Sequence, residues 1–222
     1  MTRQIPFTPD EYFHIYNRGT NKMPIFNSIS DYERFVKLLY LANSKETLQF
    51  SDINKHKIWE TKIGETLVSI GAWCLMPNHF HLLIKSKNEK STSLFIQRLL
   101  ISHSKYFNTK YERNGSLFQG KSKSSHIDNE NYLKYIFSYI HLNPLKLIDK
   151  NWKEKICSVN KQKNQKINYL NKYKYSSLSD YRGEKRNENK ILDKNAFPFY
   201  FLETKNHLND LQDWFTDNEK PL

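Results

Sequence analysis

Aromatic or β-branched residues alternate with polar ones over residues 12–17 (YFHIYN), the period-two pattern of a strand with one buried face, and Arg18 and Gly19 end it. From residue 31, DYERFVKLLYLAN sets Phe35, Leu38, Leu39 and Leu41 on one helical face, with Ser30 or Asp31 as the N-cap. Residues 44–65 are polar with scattered apolar positions, which predicts a surface excursion. The apolar, β-branched run LVSIGAWCLM (67–76) predicts a central strand, Pro77 and Asn78 interrupt it, and HFHLLIK (79–85) predicts a second strand paired with the first. Ser91 or Ser93 can cap a second helix that buries Leu94, Ile96, Leu99, Leu100 and Phe107 and stops at Asn114 and Gly115. An extended basic segment, SLFQGKSKSSHID, follows, and Asp128 or Asn129 opens a third helix, NYLKYIFSYIHL, that runs to Asn143 and Pro144.

The order β, α, β, β, α, β, α predicts an α+β fold, a ferredoxin-like split βαβ antiparallel sheet with helices on one face, plus one extra helix. After Pro144 the composition changes. Residues 151–175 hold seven lysines and one glutamate, and a final stretch, AFPFYFLETKNHLNDLQDWF, is rich in aromatics. The expected division is therefore a domain over residues 1–150 and a basic, aromatic appendage over residues 151–222.

Two neutral imidazoles on one strand face can hold one divalent metal. In HFHLLIK, His79 and His81 share a face and Phe80 points the other way. A bare H-x-H is more often a pair of edge histidines that meet solvent. This one follows a Pro-Asn turn between two apolar segments, which places it mid-sheet. A structural zinc site would want four ligands, and neither cysteine, Cys74 or Cys157, stands at a usual spacing from the pair. Two histidines leave positions open for water and phosphate, as metal-assisted catalysis requires.

On the third helix Tyr132, Tyr135, Tyr139 and Asn143 are spaced three, four and four residues apart and form one stripe. Tyr132 and Tyr135 read as amphipathic packing residues. Tyr139 stands one turn before Asn143, so a phenol and an amide oxygen can converge on one phosphate. Pro144 is expected to push Asn143 out of helical geometry and leave its amide free, although a simple C-terminal cap is the alternative.

Charge agrees with such a substrate without selecting it. Lys and Arg total 35 against 23 Asp and Glu, a formal net charge of +12, with 14 Tyr and 14 Phe among 222 residues. This favours a polyanionic partner. There is no disulfide-like cysteine spacing, no leader-like N-terminus and no membrane-length apolar run, so a cytoplasmic, nucleoid-associated protein with no membrane partner is expected.

Three ordered segments, MPNHFHLLI (76–84), SLFQGKSKS (116–124) and YIHLNPLK (139–146), resemble the signature motifs of single-tyrosine HUH transposases of the IS200-like, REP-associated branch. YKYSSLSDY (173–181) resembles a further aromatic and serine motif of that family. The resemblance implies His79, His81 and Asn143 as metal ligands, Tyr139 as nucleophile, Mg2+ or Mn2+ as the ion, and single-stranded DNA with a hairpin as partner. The implied enzyme is a metal-dependent DNA nickase and strand transferase working through a 5′-phosphotyrosine, as a monomer or a homodimer. This chain departs from the pattern in the long 44–65 link and in Lys146, where relatives carry arginine followed by glycine.

Candidate DNA contacts are Arg18 after the first strand, Lys105, Lys110, Arg113, Lys121 and Lys123 around the second helix end and basic strand, and Lys146 after the third helix. Tyr106 and Phe118 are available to stack on bases. His103 and His126 read as surface residues, and His141 as pointing away from the stripe. The rival from another class is a domesticated DNA-binding protein or repressor on the same fold. An RNA-binding module ranks lower, for want of an RNP-like aromatic segment.

Overall fold

In the computed structural model, which describes residues 6–48, 50–54, 57–152 and 160–201, Pro77 and Asn78 turn β2 (Val68–Met76) into β3 (His79–Ser86) as an antiparallel hairpin. Strand β1 (Tyr12–Arg18) pairs antiparallel with β3 on one side and with β4 (Lys123–Ile127) on the other, giving the order β2-β3-β1-β4. Helices α1 (Ile29–Leu41) and α2 (Glu89–Lys110) make the two crossovers, which completes the ferredoxin-like split βαβ frame. Phe13 and Ile15 of β1, Trp73 and Leu75 of β2, and Phe80, Leu82 and Ile84 of β3 meet Phe35, Leu39, Phe95, Leu99 and Phe107 of the two helices in the main core.

The extra helix, α3 (Glu130–Leu142), lies on the opposite face, where Leu133, Ile136, Phe137 and Ile140 cover Ala72, Cys74, Met76, Leu83 and Ile127. The sheet is thus covered on both faces, and β2, buried along its whole length, reads as a continuous apolar run for that reason.

Two helix starts differ from expectation. Helix α1 begins earlier, with Ser28 as N-cap and Asp31 as the third residue of a capping box, because the Asp31 carboxylate accepts from the Asn27 and Ser28 amides at 2.8 and 2.9 Å. Helix α2 is capped by Asn88, whose side chain accepts from the Ser91 amide, and not by Ser91 or Ser93. Its buried face includes Phe95, Ile96, Leu99, His103 and Phe107, with Leu94 and Leu100 half-buried. Asn129 caps α3 as expected. The 44–65 excursion is irregular, with buried Ile58 as its anchor and Arg98 donating to the Ser44 and Glu46 carbonyls.

The described part of residues 151–222, including α4 (Asn160–Lys172) and α5 (Leu178–Tyr181), is stitched into this sheet. The Leu75 amide donates to the Tyr175 carbonyl and the Ser177 amide to the Trp73 carbonyl, both at 2.9 Å, so residues 175–177 line the outer edge of β2. Phe197 fits against Gly71, at a register irregularity where a Cβ would stand 2.5 Å from the ring, and Phe201 stacks on Phe137 of α3. Cys157 and residues 202–222, which include the greater part of the last aromatic stretch, lie outside the described residues. Among the described residues no helix is long and apolar enough to cross a membrane.

Candidate active site

Strand alternation sends Phe80 into the main core and turns His79 and His81 toward α3, their ring centroids 5.0 Å apart. His81 is buried, and the Tyr139 ring meets it edge-on at 5.5 Å. The tyrosine stripe forms as the spacing predicts, Tyr132 on Tyr135 and Tyr135 on Tyr139, each pair 6.1 Å between centroids.

A third histidine, not expected from the sequence, joins this pair. His14 Nε2 lies 2.8 Å from His81 Nδ1, and the two rings are stacked. The signal was present in the β1 alternation, which puts Tyr12, His14, Tyr16 and Arg18 on the face that β3 gives to His79 and His81. The register that sets Tyr16 opposite His81 makes the contact.

Asn143 corrects two expectations. It keeps helical torsions (φ −52°, ψ −37°), because the chain continues into a tight turn, Asn143–Leu147, whose first positions tolerate a proline without an N–H. Nor is its amide free. Fully buried, it donates from Nδ2 to the Tyr139 carbonyl and accepts at Oδ1 from Lys146 Nζ, both at 2.9 Å, and its side chain also bonds His79. Lys146 Nζ donates in addition to Tyr139 Oη at 3.3 Å. Burial first, then the Lys146 charge, pushes the His79 imidazole down to about 4, against the opposing Asn143 bond, so His79 is neutral at physiological pH.

His79, His81, Tyr139 and Lys146 line a cleft of about 340 Å³ together with Tyr16 and the cationic side chains of Arg18, Lys22 and Lys123, whereas the fully buried Asn143 is not in that lining. No carboxylate is among its described lining residues, so the field inside favours an anion. Lys22 was not anticipated. It arrives through a turn in which Asn21 (φ 54°) and Lys22 (φ 61°) both take left-handed torsions, which no local pattern announces.

The other expected DNA contacts divide. Lys121 is exposed and is not among the residues that line the cleft. Lys105 is exposed along a separate groove of about 520 Å³ between α2 and residues 115–120. Lys110 and Tyr106 are committed to the buried Asp31 carboxylate at 2.6 and 2.9 Å, at the α1–α2 seam. Arg113 donates to Met23 Sδ at 3.2 Å and to Asn108 Oδ1 at 3.5 Å. Phe118 is buried against Phe80 and His103 and has no face to offer a base. His103, expected on the surface, is fully buried with Nε2 2.8 Å from the Ile25 carbonyl oxygen, because the kink-free α2 carries it under the aromatic core. His126 bonds Glu11 at 3.0 Å, and His141 points away to Ser177.

Among the described residues no group of three or more His, Cys, Asp or Glu side chains is placed to hold a metal. What comes together is two imidazoles and one amide, donors suited to a divalent ion that keeps open positions. With His81 Nδ1 engaged by His14, Nε2 is the nitrogen that a metal would take.

Residues 34–143 match the family model described as transposase, IS200-like. A solved structure of a REP-associated tyrosine transposase bound to a REP hairpin is similar over 85% of this chain and 89% of that one, with a TM-score of 0.49 and 13% identity. No curated protein matches the chain.

Proposed function

Residues 34–143 form an IS200-like transposase domain, and from that premise we propose that the chain cuts and rejoins one DNA strand through a covalent 5′-phosphotyrosine on Tyr139. The observation that carries this reading is the position of Tyr139: its hydroxyl faces the same cationic cleft as His79 and His81 and is hydrogen-bonded by Lys146. Tyr132 and Tyr135 stand outside that lining.

The phenol oxygen of Tyr139 attacks the scissile phosphorus in line and forms the new O–P bond as the P–O3′ bond breaks; the proton lost by the phenol is balanced by the one that the departing 3′-oxygen takes up to leave as a hydroxyl. The phosphotyrosine conserves the energy of the broken linkage, so attack by a 3′-hydroxyl reverses the step without ATP. Lys146 holds the nucleophile in place and stabilises negative charge as it develops on the phenol oxygen. His79, His81 and Asn143 would hold the Mg2+ or Mn2+ that the motif resemblance implies. Such an ion, when bound, supplies electrophilic stabilisation of a nonbridging phosphate oxygen.

Arg18, Lys22 and Lys123 bind the flanking phosphates, and the exposed Lys121 and, in the separate groove along α2, Lys105 extend the contact to DNA beyond the cleft. The substrate is a single strand with a hairpin beside the cut, on the strength of the three motifs. The catalytic unit is residues 1–150, and the described residues of the 151–222 segment brace it.

The test incubates the full chain with end-labelled single-stranded DNA carrying a hairpin, with Mg2+ or Mn2+, and resolves adducts on a denaturing gel. A shifted adduct that disappears in Tyr139→Phe is expected. An adduct that survives this change refutes the nucleophile. Binding without any adduct would favour a DNA-binding protein or repressor on the same fold.

A further inference from the structure

We infer that Asn78 is a positioning residue for His79: it fixes the imidazole as the Nδ1–H tautomer and so turns the unprotonated Nε2 to the cleft. This inference rests on the reading of His79 as a metal ligand.

The polarity of the contacts leads to it. Asn78 Nδ2 lies 3.0 Å from the Lys22 carbonyl oxygen, which can only accept, so the amide nitrogen faces Lys22 and the amide oxygen faces the other way. That oxygen lies 2.7 Å from His79 Nδ1. An amide oxygen has no proton to give, so the 2.7 Å contact places the hydrogen on Nδ1, in competition with Asn143, whose side chain also bonds this ring. In a neutral imidazole the second nitrogen then holds a lone pair.

The carbonyl that orients Asn78 is itself held. The Gly19 amide donates to the Asn78 carbonyl at 2.9 Å, and the Ile25 and Phe26 amides donate to the Pro77 carbonyl at 2.8 and 3.2 Å. These bonds clamp the loop from Gly19 to Phe26 onto the β2–β3 turn. Gly19 permits the approach, since a Cβ there would come within 2.1 Å of the Met23 carbonyl oxygen. Within the loop, Asn21 and Lys22 accept left-handed torsions that other conformations would spare them, and the result is a Lys22 carbonyl aimed at Asn78.

A turn asparagine is usually explained by its tolerance of positive φ. Asn78 is not among the residues with positive φ, so the backbone does not demand asparagine there. The side chain does.

The experiment uses the full chain, metal-free, and long-range 1H–15N NMR of the histidine rings, with His79 assigned through His79→Gln. The wild type should show His79 protonated on Nδ1. Asn78→Ala should convert it to the Nε2–H form or a mixture, and Asn78→Asp, which keeps an acceptor oxygen, should retain Nδ1–H. Mn2+ affinity, read from the electron paramagnetic resonance of free Mn2+, should fall about 10–100-fold in Asn78→Ala and recover in Asn78→Asp. An Nε2–H tautomer in the wild type, or a tautomer unmoved by Asn78→Ala, overturns the role of Asn78, and the wild-type spectrum decides this even if a variant folds poorly. Nδ1–H in a wild type that binds no Mn2+ would instead leave that role standing and overturn His79 as ligand.

Discussion

Lys146 donates a hydrogen bond to the oxygen proposed to attack phosphorus, and its removal tests how the cleft lowers the barrier. At the observed 3.3 Å from Tyr139 Oη, a full phenolate charge would gain about 5 kcal/mol from the ammonium at an effective dielectric of about 20. With about half of that charge developed in the transition state, and water screening a half-buried lysine, about 2 kcal/mol remains, or roughly 30-fold in rate. Lys146→Met keeps the length of the stem and deletes the charge. Adduct formation at saturating DNA and metal, followed in a single turnover, should slow by about 30-fold, and Lys146→Arg should restore most of it. Lys146 Nζ is also 2.9 Å from Asn143 Oδ1, so its loss removes a competing cation from a proposed metal ligand. Mn2+ affinity of Lys146→Met should therefore hold or rise. A wild-type rate would refute the electrostatic argument, and a joint fall in rate and Mn2+ affinity would mean that Lys146 only props Asn143.

Burial pushes the His103 imidazole down to about 4, against its bond to the Ile25 carbonyl, below the ordinary 6.5 of the unfolded chain. The unfolded state therefore binds the extra proton between those values, and stability present above pH 6.5 is lost as pH falls toward 4. The loss is on the order of 3 kcal/mol for this group. Urea melts across pH 4–7 should show a shallower acid loss in His103→Gln than in the wild type, and equal slopes would contradict the assignment. Asp31→Ala removes the capping carboxylate that the Lys110, Tyr106 and Tyr111 side chains share, and should lower stability by about 3–5 kcal/mol without touching the cleft. A thermal midpoint within a degree of wild type would count against this role. Gly71→Ala drives a methyl into the Phe197 ring and should cost about 1–3 kcal/mol, largely relieved by adding Phe197→Ala. No relief in the double variant would show that the two do not meet.

The parts of the site that one element builds alone were legible in the sequence. His79 and His81 share a face because strands alternate, and the tyrosine stripe needs only helical spacing. What depends on register between elements was not legible. His14 reaches His81 because β1 slides against β3 to put Tyr16 opposite it, and Lys22 reaches the cleft through two left-handed residues. Expectations drawn from charge and exposure failed where a buried partner claimed the residue. Lys110 and Tyr106 look like free DNA contacts until α1 brings Asp31 beneath them, and Phe118 is taken by the core. The sheet order was readable from the succession of elements, whereas the use of residues 175–177 to line β2 was not, because short strand pairings leave little periodic trace.

That last pairing has a consequence for how the chain is made. Strand β2 carries no charged residue and a single polar one, Ser69, and its outer backbone edge is satisfied by a segment that the ribosome produces only after roughly 100 more residues, about 5–20 s at ordinary synthesis rates. During this interval the nascent sheet exposes an unpaired strand with no charged side chain to discourage a second chain from adding to it. A product stopped before Tyr175 would keep that exposure permanently. Although it would contain both histidines and the tyrosine helix, its expected fate is aggregation through β2, and its failure to cut DNA would say nothing about the chemistry of the cleft.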